Sequence, residues 1–389
     1  MPSNLASLWR RYETILGPLC GLAFVWVLFA VLTMMKFHHD AEGELSWMES
    51  LKAAWINKDS FTEIVRQSTI AGIAALGATM ILIAGGLDLS VGSTIALVSM
   101  VVALLLDKHV HPAVAVAGGV GAALLVGLSV GSMVIGHIGR VVAVFFGVVL
   151  ALRILPGVGI SGPAAWGIAA VVATGVWVAN RFFVRKVELT PFIVTLGMMA
   201  IIRGVALGLI GKPQISPAKE NYGFLADIMR AGPLGLPSGT WIFLGLAVAM
   251  ALLLRYTAFG RHVFAIGSNE ETARLCGIPV PRVKLIIYVL GIGLAGLAGT
   301  MQFAYISQGS ATEAQGLELT VIAACVIGGT SLSGGEGSII GTIIGVLILR
   351  VVTIGCSKMG WDNSVQLVVT GGIILAAVVL DRLRHRKPA

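Results

Sequence analysis

The sequence RHVFAIGSNEETARLCGIPVPRVK at 261–284 decides how the chain is interpreted, because this polar, charged stretch separates two long apolar runs. The runs, at 240–256 and 284–306, each approach the ~20 residues that cross a bilayer as a helix. A protein this apolar has little reason to keep such a stretch unless another molecule docks on it. The pattern therefore indicates a membrane protein driven by a soluble partner.

The composition places most of the chain in lipid. Of 389 residues, 57% are hydrophobic and only 12% are charged, whereas a soluble domain has about a quarter of its residues charged. The 50 glycines suit close helix packing in a bilayer. The net charge of +8 does not indicate nucleic-acid binding, because the bases are not clustered with aromatic residues. The four cysteines lack CxxC spacing, so free thiols are expected.

The apolar runs predict an all-α polytopic membrane protein with about 10–12 transmembrane helices, forming a single domain over 1–389. Each run is close to membrane length. The runs fall at 15–35, 64–86, 90–106, 112–136, 141–156, 164–180, 190–211, 240–256, 284–306, 317–333, 338–355 and 365–381. The first follows Arg10 and Arg11 but is too long for a signal peptide and has no cleavage site after it, so it is predicted to be a retained helix.

The distribution of bases predicts the orientation. With the N-terminus inside, fifteen of the 27 Lys and Arg fall on the inner side, including those of the basic tail at 382–389. The outer loop at 36–63 carries six acids instead. The positive-inside rule then predicts that both termini are cytoplasmic, with 36–63 periplasmic and 257–284 cytoplasmic.

Two glycine-containing segments repeat one another. GGLDLSVG at 85–92 matches GGTSLSGG at 328–335 in five of eight positions, and each follows one apolar run and precedes another. Glycine weakens a helix, and backbone broken in this way must face protein or water. Paired breaks indicate a substrate path in transporters, or else a tight cytoplasmic turn used twice.

The stretch at 257–284 has signals for a short capped helix. Asn269 is a candidate N-cap with Glu270 and Glu271 in the first turn, and Gly277 is a candidate stop. The helix is expected to lie roughly parallel to the membrane with Glu270, Glu271 and Arg274 exposed. The alternative is an ordinary loop that satisfies the positive-inside rule.

The spacing of Glu271, Ala273 and Gly277 resembles the EAA-type coupling loop of ABC importer permeases. GGLDLSVGS (85–93), PFIVTLGMMAIIRG (191–204), FGRHVFAIGSNEETARLCGI (259–278) and VIGGTSLSGGEGSIIGTIIG (326–345) are similar, in the same order, to ribose/xylose-type monosaccharide importer permeases. The resemblance covers about 62–136 and 189–383. It does not identify the sugar, so a pentose, a hexose or a sugar-like signal molecule is compatible with it.

The resemblance implies a bacterial inner-membrane permease that is not an enzyme and has no cofactor of its own. A cytoplasmic ABC ATPase would bind ATP and grip the coupling loop. A periplasmic sugar-binding protein would deliver substrate, and a second permease copy, most simply a homodimer, would complete the path. The expected ATPase-coupling residues are Gly260, Arg261, Gly267, Asn269, Glu270, Glu271, Ala273, Arg274 and Gly277.

The segment at 137–188 departs from the family pattern, because the family runs almost directly from the fourth span into PFIVTLG. Two extra apolar runs are inserted here, and an even number of spans preserves the downstream topology. The insert is predicted to be a helical hairpin, either peripheral or a contact for an extra partner.

Polar residues near the breaks and the outer mouth are candidates for the translocation path. The predicted set is Asp88, Ser90, Gly92, Thr330, Ser331, Ser333, Glu313 and Glu318. For Asp88 the alternative is a cap on the following helix. Glu313 and Glu318 fit equally well as solvated loop or as a contact for the binding protein. For Arg203, within an apolar span, a structural role is favoured, and the alternatives are contact with substrate hydroxyls, neutralisation of a neighbour or snorkelling outward.

The sequence gives little support to two rival functions and to two patterns that resemble binding sites. An ion-coupled secondary transporter of a small polar solute would bury paired acids or histidines, and interior acids are almost confined to Asp88. An intramembrane enzyme would need a nucleophile–base pair or a metal set.

No metal site is predicted at 38–40 or 107–111, whose His and Asp residues lie in loops. GxGxxG at 291–296 lies inside an apolar run and predicts helix packing.

Overall fold

A computed structural model of the protein describes residues 3–40, 46–54, 58–137, 190–208, 213–230 and 232–384, with a few helical residues between 167 and 175. The predicted hairpin at 137–188 lies almost entirely outside the described residues, and so does the tail from 385 onward.

The described chain is helical apart from one pair of two-residue strands. The helices are α1 (Ser3–Asp40), α2 (Trp47–Ala54), α3 (Lys58–Ile83), α4 (Val91–Asp107), α5 (Pro112–Val134), α6 (Pro191–Gly208), α7 (Ser238–Tyr256), α8 (Ala258–Ser268), α9 (Glu270–Leu275), α10 (Val280–Ile306), α11 (Leu317–Ile327), α12 (Ile339–Lys358) and α13 (Asn363–Arg384). The strands are β1 (Gln214–Ile215) and β2 (Gly309–Ser310), and short 3₁₀ turns fill Lys219–Asn221, Gly223–Ala226 and Pro233–Gly235.

Seven of the described helices are long and apolar enough to cross a membrane: α1, α3, α5, α6, α7, α10 and α12. Shorter apolar helices lie in α4, α11 and α13. These ten coincide with ten of the twelve predicted runs, and the other two fall mainly outside the described residues. The all-α polytopic prediction is confirmed. The stretch at 36–63, predicted as a loop, is largely helical where it is described, because α1 extends to Asp40, α2 follows, and α3 begins at Lys58.

Helix α10 lies at the centre and packs against α5, α3 and α4. Close approach depends on glycine: a Cβ at Gly77 of α3 would overlap the carbonyl oxygen of Gly291 in α10. The GxGxxG sequence is therefore helix packing, as predicted. Helix α1 packs on α12 through a separate apolar cluster that includes Phe29, Val352 and Cys356.

The two ends of the helices carry different features. We call the end with α8 and α9 the loop side, and the end with the β1–β2 pair the far side. The strands are antiparallel, with Gln214 opposite Ser310 and Ile215 opposite Gly309.

The segment 307–316 enters the membrane from the far side. A Cβ at Gly309 would lie 2.6 Å from the Ala103 Cβ, whereas a Cβ at Gly92 would lie 2.5 Å from the Ala314 carbonyl oxygen. The segment therefore descends along α4 by ~16 Å between the levels of Ala103 and Gly92, at ~1.5 Å per helical residue.

Helix α11 starts where this descent ends. Its 11 residues span only ~16 Å, about half of the ~30 Å hydrocarbon core. It covers the half of the membrane nearer the loop side. The contact of Gly92 with Ala314 and Glu318 at its start is called the junction below.

Candidate functional site

The helix α9 has the caps predicted for it. The Asn269 side chain accepts a hydrogen bond from the Thr272 amide at 2.9 Å. At the other end Gly277 has φ +82°, and the Ile278 and Gly277 amides donate to the carbonyls of Ala273 and Arg274. This is a Schellman stop, which needs a left-handed residue.

One ion pair attaches α9 to the start of α10, and a second lies within α9. The Glu270 carboxylate accepts from Lys284 Nζ at 2.6 Å and lies 3.4 Å from Arg274 Nη2. The Glu270 carboxylate is therefore paired within the protein and only partly exposed, whereas the sequence predicted it on the exposed side of the helix. Glu271 and Arg274 are exposed as expected, and Ala273 is buried.

The exposed face of α9 also carries Leu275, which is 88% exposed. Sequence reasoning missed it, although its position directly before the helix stop was a usable signal. It adds one apolar side chain to a face that otherwise carries the charges of Glu271 and Arg274.

Helix α8 connects α9 to α7. The Thr257 side chain accepts from the Gly260 amide at 3.1 Å, and Gly260 lies against the α7 backbone at Leu254. Arg261 is exposed. With Arg255 it lines a groove of about 510 Å³ that also borders Ser338.

Gly267, near the end of α8, touches both glycine breaks. A Cβ at Gly267 would overlap the Ile83 carbonyl oxygen and lie 2.6 Å from the Gly335 amide nitrogen. That amide itself donates to the Ile83 carbonyl at 2.8 Å. A Cβ at Gly334 would lie 2.8 Å from the Gly267 carbonyl oxygen and 2.9 Å from the Gly85 Cα. Three segments of the chain, at 83–85, 267 and 334–335, thus meet through backbone atoms, and we call this meeting the three-segment contact.

The two breaks share one turn geometry. The Gly85 and Gly86 amides donate to the carbonyls of Leu82 and Ile81, and the Gly329 and Thr330 amides donate to those of Val326 and Cys325. Both are Schellman stops, with left-handed glycine at Gly85 (φ +76°) and Gly329 (φ +88°). The structural equivalence is therefore shifted by one residue from the sequence match, which paired Gly85 with Gly328.

Asp88 is buried in the segment that joins the first break to α4. Its Oδ1 accepts from the Ser90 amide at 2.8 Å and from the Ser90 hydroxyl at 2.6 Å. Ser90 precedes α4 as its N-cap residue, so Asp88 forms a turn ahead of the helix and does not cap it. Its Oδ2 is buried without a hydrogen-bond partner in the described part of the chain.

The junction brings Gly92 and Glu318 together. Any Cβ at Gly92 would overlap Glu318 Oε2, which is buried and has no partner among the described residues. Glu318 Oε1 accepts from the Gly316 amide at 3.2 Å. A carboxylate therefore fills the space against the backbone of α4 in its first turn.

Arg203 of α6 holds the descending segment in place. Its Nη1 donates to the carbonyl oxygens of Ala311 at 2.8 Å and Glu313 at 2.9 Å. The Glu313 carboxylate accepts from Gln302 Nε2 at 2.9 Å. The predicted structural role of Arg203 is confirmed.

Thr330, Ser331 and Ser333 lie in the turn after α11, on the loop side. Thr330 and Ser331 are buried and Ser333 is exposed, and the Ser333 amide donates to the Ser331 hydroxyl at 3.2 Å. The predicted path residues thus occupy two levels, the loop-side turn and the junction.

Known proteins resemble this chain over most of its length. A family model described as branched-chain amino acid transport system / permease component matches residues 135–378. The chain is 33% identical over 339 residues to the ribose import permease protein RbsC of Escherichia coli K12, covering 87% of this chain and 90% of that protein. The chain belongs to this family of membrane transport permeases.

Other relatives agree with that assignment. RbsC of Bacillus subtilis 168 is 32% identical over 367 residues, 94% of the permease and 92% of that protein. The L-arabinose transport system permease protein AraH of E. coli K12 is 38% identical over 207 residues, 53% of the permease and 62% of that protein. No solved structure matches. The permease is a multi-pass membrane transport subunit and not an enzyme.

Proposed function

We propose that the permease is the membrane-spanning subunit of an ATP-driven ABC importer that carries a monosaccharide, ribose-like or xylose-like, into the cytoplasm. The three-segment contact is the observation that carries this proposal. It joins the exposed helical loop to both breaks through backbone atoms, so a push on α8–α9 is transmitted to the start of α4 and the end of α11. Helices α4 and α11 are the two helices whose first turns meet at the junction.

The face of α9 suits a soluble ATPase. Glu271 and Arg274 offer both signs of charge, and Leu275 offers an apolar anchor beside them. The Asn269 cap, the Gly277 stop and the Glu270–Lys284 pair keep this face rigid. A rigid docking helix loses little entropy on binding, and it passes on the partner's movement.

The remaining parts of the system follow from this assignment. The loop side is cytoplasmic, as the bases at 255–284 favour, and both termini are cytoplasmic in a bacterial inner membrane. A periplasmic binding protein delivers the sugar at the far side. A second copy of the permease forms a homodimer with the first, and ATP is bound by the ATPase alone. The names of the ribose and L-arabinose relatives support a sugar of that class.

The test is ATP hydrolysis and sugar uptake by proteoliposomes that contain the permease with its ATPase and binding protein. Glu271→Lys is compared with Glu220→Lys, a matched charge reversal at an exposed residue on the far side. Sugar-loaded binding protein should stimulate hydrolysis by the wild type and Glu271→Lys should abolish the stimulation, and of the two variants only Glu271→Lys should also weaken capture of the ATPase by the permease. Solute uptake driven by an ion gradient without the ATPase would overturn the proposal in favour of a secondary transporter.

A further inference from the structure

Two neighbouring cavities on the far-side half of the molecule share part of their lining. The outer cavity, about 460 Å³, is bordered by Ser60, Glu63 and Lys358. The inner cavity, about 320 Å³, lies deeper between α3, α10, α11, α12 and α13. Gln67, a threonine of α12 and a glutamine of α13 line both. We call the inner cavity the vestibule.

The lining of the vestibule suits hydroxyl groups. It contains four glutamines and three threonines, together with Tyr305 and Arg350. Glutamine amides both donate and accept hydrogen bonds, as do threonine hydroxyls, and sugar hydroxyls need both kinds of partner. Ile70 and Leu367 supply apolar surface. The volume lies in the lower part of the ~300–1,000 Å³ range of small-molecule sites.

Arg350 is the strongest indication of a ligand. Its Nε is buried without a hydrogen-bond partner in the part of the chain that the structure describes. Ionisable groups inside a membrane are costly and mark functional sites, and an unpaired buried donor adds to that cost. The vestibule lining carries this one base and no acid among the described residues, so a neutral polar solute is favoured over a cation.

The side chains at the entrance are held by Glu63. Its Oε1 accepts hydrogen bonds from Gln67 Nε2 at 2.7 Å and from the Tyr305 hydroxyl. This fixes the Gln67 amide and the Tyr305 ring at the boundary between the two cavities. A preorganised lining of this kind reduces the entropy lost when a solute binds.

The floor of the vestibule belongs to the junction. Ala314, Gly316 and Leu317 line it, and Ala314 contacts Gly92. We infer that the vestibule is a waiting site that holds one neutral monosaccharide through the Arg350 guanidinium and the glutamine amides before the junction opens. The inference rests on the proposed function, and the side chains that it assigns to the sugar lie outside the predicted set of path residues, although the sequence already placed Gln302 and Gln315 in a cluster near the outer mouth.

The first test is sugar uptake by the complete reconstituted system with D-ribose, L-arabinose and D-xylose. Arg350→Gln should lower uptake roughly tenfold or more, as expected for loss of hydrogen bonds from a charged donor. Thr353→Val should raise KM for uptake by about two- to tenfold, since it removes one neutral hydroxyl and keeps the shape. Thr33→Val is the matched control, because both hydroxyls donate to the carbonyl four residues earlier, yet Thr33 lies outside the cavity. It should leave uptake unchanged.

The second test detects occupancy directly. Gln366→Cys is made with Cys20→Ser and Cys276→Ser, which remove the exposed native thiols, and the introduced thiol is labelled with a membrane-impermeant maleimide. The transported sugar should slow labelling there and not at Lys219→Cys, an exposed far-side control. Wild-type uptake by Arg350→Gln and Thr353→Val, with unslowed labelling, would overturn the vestibule and leave the proposed function standing. A wild-type system that transports no monosaccharide would overturn the proposed function, and this inference with it.

Discussion

Replacing Gly267 by alanine should uncouple ATP hydrolysis from sugar uptake. The added Cβ would overlap the Ile83 carbonyl oxygen and crowd the Gly335 amide, and both are backbone atoms that cannot move alone. Overpacking of this kind costs ~1–3 kcal/mol. Separation of the segments also breaks the Gly335–Ile83 hydrogen bond, which is worth about 1 kcal/mol. The sum, ~2–4 kcal/mol, shifts the balance away from the joined arrangement by at least ~30-fold at ~1.4 kcal/mol per tenfold.

The assay is the ratio of sugar molecules taken up to ATP molecules hydrolysed in proteoliposomes. Gly245→Ala is the matched control, since a Cβ there meets nothing within 4 Å and alanine favours a helix. Its ratio should equal that of the wild type, while the ratio of Gly267→Ala should fall sharply. A wild-type ratio for Gly267→Ala would refute the argument that the three-segment contact transmits force.

Three further outcomes are expected. Leu275→Ser should weaken capture of the ATPase on beads by roughly tenfold, as for loss of a buried apolar anchor, and leave the thermal unfolding temperature of the permease unchanged; equal capture would exclude α9 as the docking face. Glu270→Gln should lower the free energy of unfolding by about 1 kcal/mol or less, because the pair with Lys284 is partly exposed. The same variant should accelerate proteolysis within 269–284 in a timed digest, and an unchanged rate would show that the pair does not anchor α9. Arg203→Gln should lower the unfolding temperature in detergent by a few degrees, because the Ala311 and Glu313 carbonyls lose a charged donor; an unaltered melting curve would contradict that structural role.

Local features were predictable from sequence because their causes are local. The cap at Asn269, the stop at Gly277 and the apolar length of the spans depend on residues within one or two turns. The same holds for the two glycine stops. Their one-residue offset was not predictable, since the hydrogen bonds at Gly85 and Gly329 decide which glycine becomes left-handed.

Features made by distant residues were not predictable. Nothing in a single sequence shows that Gly267 meets both breaks, or that Ala314 descends to Gly92, because these contacts join segments far apart in the chain. The predicted path residues were divided between two levels for the same reason. Arg350 was overlooked because its significance comes from the cavity beside it.

The junction sets how thick the barrier between the two compartments is. At the junction the Glu318 carboxylate and the Ala314 carbonyl lie against the backbone of α4 at Gly92, so among the described residues one carboxylate and two stretches of backbone make this contact. If the proposed function is right, we expect a short sliding of α11 against α4 to part this contact and admit a solute. The same thinness makes leakage of water and protons the main hazard of the resting state, and the glycine at 92 keeps the seal tight by letting the two segments touch.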